Sequence, residues 1–556
     1  MMMSNLPLRF KYIFVTLFLF HFSTSSLFSQ LNVRPPEAFG DQLIVGIVGE
    51  PPLTLNPFQI NNPTEGQLVR LIFGTGLIQR SDRFGQTDNL VDRYIFPRNS
   101  ESQGVDWSYD LRRNIFYQNG LPLRNDDVKF TFEILKKYGG YILSRDLNFN
   151  NINSIGTSGD LEVKFLLRQK DNFFVEKLSD IPIISNRYYA NVVIEGYNNF
   201  ARMKPLGYGP FRLERLEPNQ IVLAAHRNYV FGSPFLDHII YKFFPDEQSM
   251  MDSFIQDKVD LIEIQDRIIA NRLNTILENK IRIFQTIRPE KKVFFILFNV
   301  NTYPFNDGKV RLALRGAINQ SEIVERLVSN IGHIAYSLID YTHSLFYKEL
   351  FRENYDPMQS LNLLQKNGWE LNKTKGLLEK SGRELEFNLI FEENSHLEES
   401  IARSIKIHLG ELGVNVIPKP VLGAHKHELF NENQFSAILM SYSYDNQDLY
   451  EVIKKFYFDV LKNENKQVNY FNPTLESIFK RVNGNQDLQN QIIQRFQIFL
   501  HQDSPAVFLY FDDKIIYAVK NRFQNFRTSF SSGKVYYFRL APFENWFVPK
   551  ALQKYN

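Results

Sequence analysis

The sequence predicts an α/β protein of two or three domains, and three observations carry that reading. The chain has 556 residues, more than a single hydrophobic core usually serves. Glu384–Phe391 alternates as a strand, Leu397–Leu412 is amphipathic and helical, and Val414–Val416 starts a strand after Gly413; this β-α-β order is that of an α/β lobe. In mid-chain, the apolar run Val293–Phe298 reads as a buried strand that stops at an Asn/Pro corner and gives way to two helices.

Composition narrows the function classes. An apolar fraction of 44% and a charged fraction of 22% are those of a globular protein. Lys and Arg number 64 against 61 Asp and Glu, leaving +3 with no long basic run; nucleic acid is therefore not the expected partner, since phosphate binding needs clustered cations. The 50 Phe and 27 Tyr are enough both to fill cores and to line a pocket for an extended ligand. The absence of cysteine excludes disulfides, thiolate metal sites, cysteine catalysis and a lipoprotein anchor.

Taken in order, residues 1–30 have the layout of a secretory signal peptide. Arg9 and Lys11 precede the mainly apolar core Tyr12–Phe22, and small polar residues follow from Ser23 to Ser26. That core is shorter than the about 20 residues a membrane span takes. Cleavage is expected between Ser26 and Gln30, the alternative being an uncleaved anchor. Leu43–Val48 is a short apolar strand running into Pro51-Pro52 and Thr54-Leu55-Asn56-Pro57. Trp107–Phe116 alternates as a half-buried strand, Gln118-Asn119-Gly120 is a turn, and Asn125-Asp126-Asp127 caps a helix carrying Val128, Phe132 and Leu135. At the central corner, Pro304 removes a ladder donor, Asp307 caps the first helix, and Ser321 with Glu322 opens the second. Asp356 caps a further helix with Pro357 at its first position, and Gly368-Trp369 ends it. Phe435–Met440 is a strand that delivers Ser441–Asp448 to a loop. Leu475–Val482 and Leu488–Phe499 read as helices, and Ser504–Tyr510 as the strand after them.

Several of these segments share a pattern. Phe298-Asn299, Pro304-Phe305, Asp307, Val310-Arg311, Ala313-Leu314 and Ala317-Ile318 resemble the "FN…PF.D.RVR.AL..AI" segment of the family 5 extracellular solute-binding proteins, the oligopeptide- and dipeptide-binding proteins of ABC importers. Thr54–Pro57, Gly74–Gly85, Trp107–Val128, Leu206–Leu213, Tyr355–Trp369, Phe435–Asp448 and Ser504–Tyr510 are similar to further segments of it. The resemblance runs from about Leu43 to about Phe526. There are departures: Tyr208 stands for the usual Thr, Lys258 and Asn525 for Gly, Tyr442 for Trp and Leu449 for Pro.

The resemblance implies a two-lobed periplasmic-binding-protein fold with a hinge and an extra inserted domain, three domains in all. Residues 40–83, 207–290 and 511–556 would form the first lobe, 84–206 the inserted domain and 291–510 the lobe that closes on the ligand. It implies a periplasmic receptor that captures a small solute, an oligopeptide or dipeptide above all, and delivers it to an ABC permease of the inner membrane, as a monomer and without a cofactor. Family members with a nickel complex or a sugar as ligand, or a sensor role without a permease, are the alternative. In the peptide-binding members an Asp pairs with the peptide's ammonium group; carried over, it falls on Asp445, with Tyr442 and Tyr444 as aromatic walls. The competing reading of Asp445 is a turn or helix cap. Asn61 and Asn62, in the loop that borders the ligand in the family, are the remaining contact candidates, against a plain solvated turn.

Catalytic signals are thin, and no enzyme is expected. His425 and His427 would share a face on a strand, but no further metal ligand is signalled, and solvated histidines are the plainer reading. Ser531-Ser532-Gly533-Lys534 lacks the upstream glycine and the following Ser/Thr of a phosphate loop, and neither Gly-x-Ser-x-Gly nor His-Glu-x-x-His occurs.

Overall fold

The computed structural model describes residues 38–555, apart from 53–54, 78–89, 96–104, 143–144, 172–173, 175–177, 179–180, 196–202, 265–266, 289, 329–330, 353–354, 394, 445–448, 464–468, 482–485 and 533–534. The expected signal peptide, most of the hairpin at 74–85, and Asp445 thus lie outside the described residues.

A seven-stranded sheet carries strands in the order Ile281–Ile287, Lys514–Lys520, Leu261–Ile264, Gln42–Val48, His238–Phe244, Gln220–Ala225 and Phe211–Glu217. Gln42–Val48 is central and parallel to His238–Phe244, with Leu43 opposite Ile239. Its Leu43 and Val45 enter one core and Ile44 another, so both faces are covered and the strand reads as an unbroken apolar run. A six-stranded sheet follows, in the order Gly332–Ile334, Ala506–Asp512, Lys291–Phe298, Ala437–Tyr444, Glu386–Glu392 and Asn415–Val421. The same logic governs its central strand: Phe294, Ile296 and Phe298 face one core, Val293, Phe295 and Leu297 the other.

Local chemistry sets the corner after that strand. Asp307 caps the helix Gly308–Ala317 by accepting from the Lys309 amide at 2.9 Å. The next helix, Gln320–Leu327, is capped by Asn319, whose Oδ1 accepts from the Glu322 amide at 3.0 Å; Ser321, expected to open it, lies inside the first turn. A longer correction concerns Ala437–Tyr444. The sequence placed Ser441 onward in a loop, but pairing with the central strand continues as far as Tyr444 opposite Lys291.

A four-stranded sheet, ordered Val91–Ile95, Asp106–Leu111, Glu162–Leu167, Ile152–Ser158, packs under the helix Asn125–Tyr138 through Val128, Phe132 and Leu135. Its second strand ends at Leu111 rather than Phe116, which instead bridges Pro122. The N-cap position is Arg124, and Asp127 at the third helical position accepts from the Arg124 amide at 2.9 Å and from the Asn186 amide at 2.8 Å. The chain leaves this region through Gly207-Tyr208-Gly209-Pro210.

The two large sheets are joined twice. Residues 288–290 lead from Ile281–Ile287 into Lys291–Phe298, and Asp513 alone separates Ala506–Asp512 from Lys514–Lys520. The crossings run side by side, the Arg288 amide donating to the Asp513 carbonyl at 2.7 Å. Two bodies on two short adjacent crossings make a hinge.

Candidate functional site

The hinge is built from charge. The Arg288 side chain is buried and reaches Asp512 at 2.8 Å, Glu290 at 3.1 Å and Glu263 at 3.4 Å. Burial works against its charge, but the carboxylates, Asp512 foremost, outweigh it and push the guanidinium pKa up. Burial likewise raises the Asp512 carboxyl, with Arg288 opposing.

Beside it, Lys291, His333, Asp340 and Asp513 form a second cluster. Lys291 Nζ lies 2.5 Å from Asp340 and 3.8 Å from Asp513; His333 Nδ1 pairs with Asp513 and Nε2 stands 3.3 Å from Asp340. Donor atoms of His333, Asp340 and Asp513 fall within 4.8 Å of one another, the spread of a metal site. The ammonium of Lys291 already occupies the space between the carboxylates, and both ring nitrogens are engaged. Two positive and two negative groups balance, so the arrangement is an ion-pair cluster.

The strand Ala437–Tyr444 brings Tyr442 and Tyr444 to this end of the sheet, two apart and on one face. Tyr444 is fully buried, and its hydroxyl donates to the Leu338 carbonyl at 2.7 Å; burial raises its phenol. It supports the strand end and shows no face to the space between the bodies. Tyr442 is half-buried, packed edge-on against Phe456 at 5.1 Å. The segment holding Asp445 comes next in sequence, outside the described residues, and the helix Leu449–Lys455 follows.

Asn62 is a helix cap: its Oδ1 accepts from the Glu65 amide at 2.9 Å, opening Pro63–Phe73. Asn61 is exposed, with its Nδ2 on Glu65 at 3.1 Å and its Oδ1 accepting from the Tyr141 hydroxyl at 3.0 Å. Over the Tyr141 ring, 5.9 Å from its centroid, stands the ammonium of Lys455. Tyr141 lies on the short strand Tyr141–Ile142, which pairs with Gln59–Ile60, so this contact ties that small sheet to the helix Leu449–Lys455. Of the sequence candidates, Asn61 lies at this contact and Tyr442 and Tyr444 at the hinge end; Asn62 serves its helix. Tyr141, Lys455 and the hinge charges carried no local sequence signal. His425 and His427 lie on the helix Gly423–Asn431, where residues two apart do not share a face.

A family model for the bacterial extracellular solute-binding proteins, family 5 (middle region), matches residues 99–463. The chain belongs to this family. It is 25% identical over 503 residues to the oligopeptide-binding protein AppA of Bacillus subtilis, over 88% of this chain and 89% of that one. It is 24% identical over 344 residues to the nickel-binding periplasmic protein of Escherichia coli, over 60% of this chain and 63% of that one. Among solved structures, Bacillus subtilis AppA in complex with a nonapeptide superposes with a TM-score of 0.69 at 22% identity, over 92% of this chain and 99% of that one. NikZ from Campylobacter jejuni in complex with Ni(L-His) gives 0.71 at 19%, over 92% of this chain and 100% of that one. The fold is that of a two-lobed binding protein. Among the described residues no helix is long and apolar enough to cross a membrane.

Proposed function

We propose that this family 5 protein captures a short peptide in its cleft, outside the cytoplasm, and hands it as a monomer to an ABC permease in the inner membrane. The observation that carries the reading is the joining of the two large sheets by two adjacent crossings, with Lys455 over Tyr141 as a further contact. Lobes on such a hinge enclose a solute and remove it from water, so that hydrogen bonds and charge pairs act at reduced dielectric. An extended peptide suits it, because backbone groups supply binding that does not depend on side-chain identity. In this reading Asp445 takes the ammonium group through a charge-assisted bond, with Tyr442 flanking it and Asn61 at the far wall.

The test is native purification of the mature protein followed by mass spectrometry of what is released on denaturation. Short peptides in the wild type, and their loss in Asp445→Ala, are the expected result. A nickel complex or a sugar would keep the fold and overturn the peptide reading. A protein that comes away empty, with no thermal shift against a peptide library, would point to a sensor or partner-binding role.

A further inference from the structure

The members of the ion-pair cluster beside the hinge come from four separate elements. Lys291 opens the central strand directly after the first crossing, and Asp513 is the second crossing. His333 lies on the edge strand Gly332–Ile334, and Asp340 on the loop beyond it. The Asp340 side chain is 2% exposed; besides Lys291 and His333 it accepts from the Thr342 amide and hydroxyl, each at 2.9 Å. The His333 ring lies on Phe511 at 5.3 Å and meets the Tyr341 edge at 4.9 Å. Two residues before Asp340, the Leu338 carbonyl holds the Tyr444 hydroxyl. An unbroken set of contacts thus joins the second crossing to the strand end that precedes Asp445.

Geometry fixes the charge of the imidazole. A neutral ring donates from one nitrogen only, whereas here each nitrogen faces a carboxylate, which only the imidazolium satisfies twice.

We propose that His333, as an imidazolium, is a positioning residue for solute capture: it locks the second crossing to the loop that supports Tyr444, so that lobe angle and solute site move as one. The groups facing it agree. Burial alone would lower its pKa, but the hydrogen bonds it donates to Asp340 and Asp513 raise it to about 9. Lys291 is the other cation of the cluster, and Arg288 lies behind the crossing on Asp512. His343, on the same loop, is lowered by burial, and the Tyr444 phenol is raised. Loss of the His333 proton removes one of the ring's two bonds to the carboxylates, and the lock opens.

The absence of cysteine lets spin labels be placed at Leu216→Cys and Ile407→Cys, one exposed position on each of the two large sheet bodies, and the distance between them read without any ligand. The wild type should give a narrow distribution from about pH 6 to about pH 8 that broadens as pH rises through about 9. His333→Gln should be broad at neutral pH and unresponsive. His333→Arg, a permanent cation with a forked donor set, should restore the narrow distribution at every pH. In the wild type the His333 ring resonance should titrate near 9 and move down by more than about one unit in Asp513→Asn. A wild-type distribution that ignores pH, a His333→Gln protein that keeps the wild-type response, or an Arg variant that still responds would each overturn the proposal. All readouts are independent of which solute binds, so the peptide reading and this one fail separately.

Discussion

Lys455 stands over the ring of Tyr141 at 5.9 Å, and Asn61 fixes that ring by accepting from its hydroxyl at 3.0 Å. A partly solvated cation–aromatic contact contributes about 0.5–1 kcal/mol. Lys455→Met and Tyr141→Leu should therefore each weaken binding of the recovered solute about two- to five-fold, while Tyr141→Phe, which keeps the ring, should lose less. Isothermal titration decides it; equal losses in the Phe and Leu variants would show that the hydroxyl matters and the cation does not.

Arg288 calls for a different expectation. Its side chain and that of Glu290 are 7% and 6% exposed, and Asp512 is 13% exposed. Arg288→Met would leave buried carboxylates without a partner, a change that typically costs about 3–5 kcal/mol. Glu263 is 43% exposed, so Glu263→Gln should cost less than about 1 kcal/mol. Midpoints of denaturant unfolding compare the two.

What the sequence disclosed and what it hid divide along physical lines. The strand Lys291–Phe298, the cap at Asp307, the Asp356-Pro357 start and the stop at Gly413, with its φ of +86°, are set by residues near in sequence, and local rules found them. The end of Ala437–Tyr444 is not legible locally, because it depends on how far the ladder with the central strand continues, which neither segment shows by itself. The cap at Asn319 is masked in the sequence by Ser321 and Glu322, which imitate a cap two residues later. Tyr141 with Lys455, and His333 with Asp340 and Asp513, are brought together only by the fold; a lone His and scattered carboxylates have no spacing that betrays them. Asn61 and Tyr442 became candidates through family resemblance, not through periodicity.

Asp340 gives stability an acid limb. Burial would raise its pKa, but His333 and Lys291 hold it well below the usual carboxylate range. A depressed folded pKa contributes stability that is present above the unfolded value of 3.8 and is lost as pH falls toward the lower folded value. His333 gives the opposite limb: raised from 6.5 to about 9, its contribution is complete below 6.5 and fades as pH climbs to about 9. The melting temperature gap between wild type and Asp340→Asn should thus narrow as pH drops below about 4. A gap that is the same at about pH 3 and about pH 6 would mean that Asp340 is not held by these cations.

Gly207 and Asn525 separate two reasons for glycine in the family pattern. A Cβ on Gly207 would lie 2.2 Å from the Ile72 carbonyl oxygen and 2.3 Å from the Phe73 Cα, backbone atoms that cannot swing aside. Gly207→Ala should cost about 3 kcal/mol or more through overpacking. Asn525, standing where glycine is usual, has room for its side chain; what its position demands is a φ of +54°, which Asn tolerates better than other residues with a Cβ. Its Nδ2 also donates to the Asn545 carbonyl at 2.9 Å. Asn525→Gly should shift stability by less than about 1 kcal/mol, and Asn525→Ala should lose about 1–2 kcal/mol, since alanine has neither the tolerance nor the bond. Thermal unfolding of the three variants ranks them, and a Gly207→Ala protein as stable as Asn525→Gly would show that the crossing at Gly207 is looser than its close backbone approach requires.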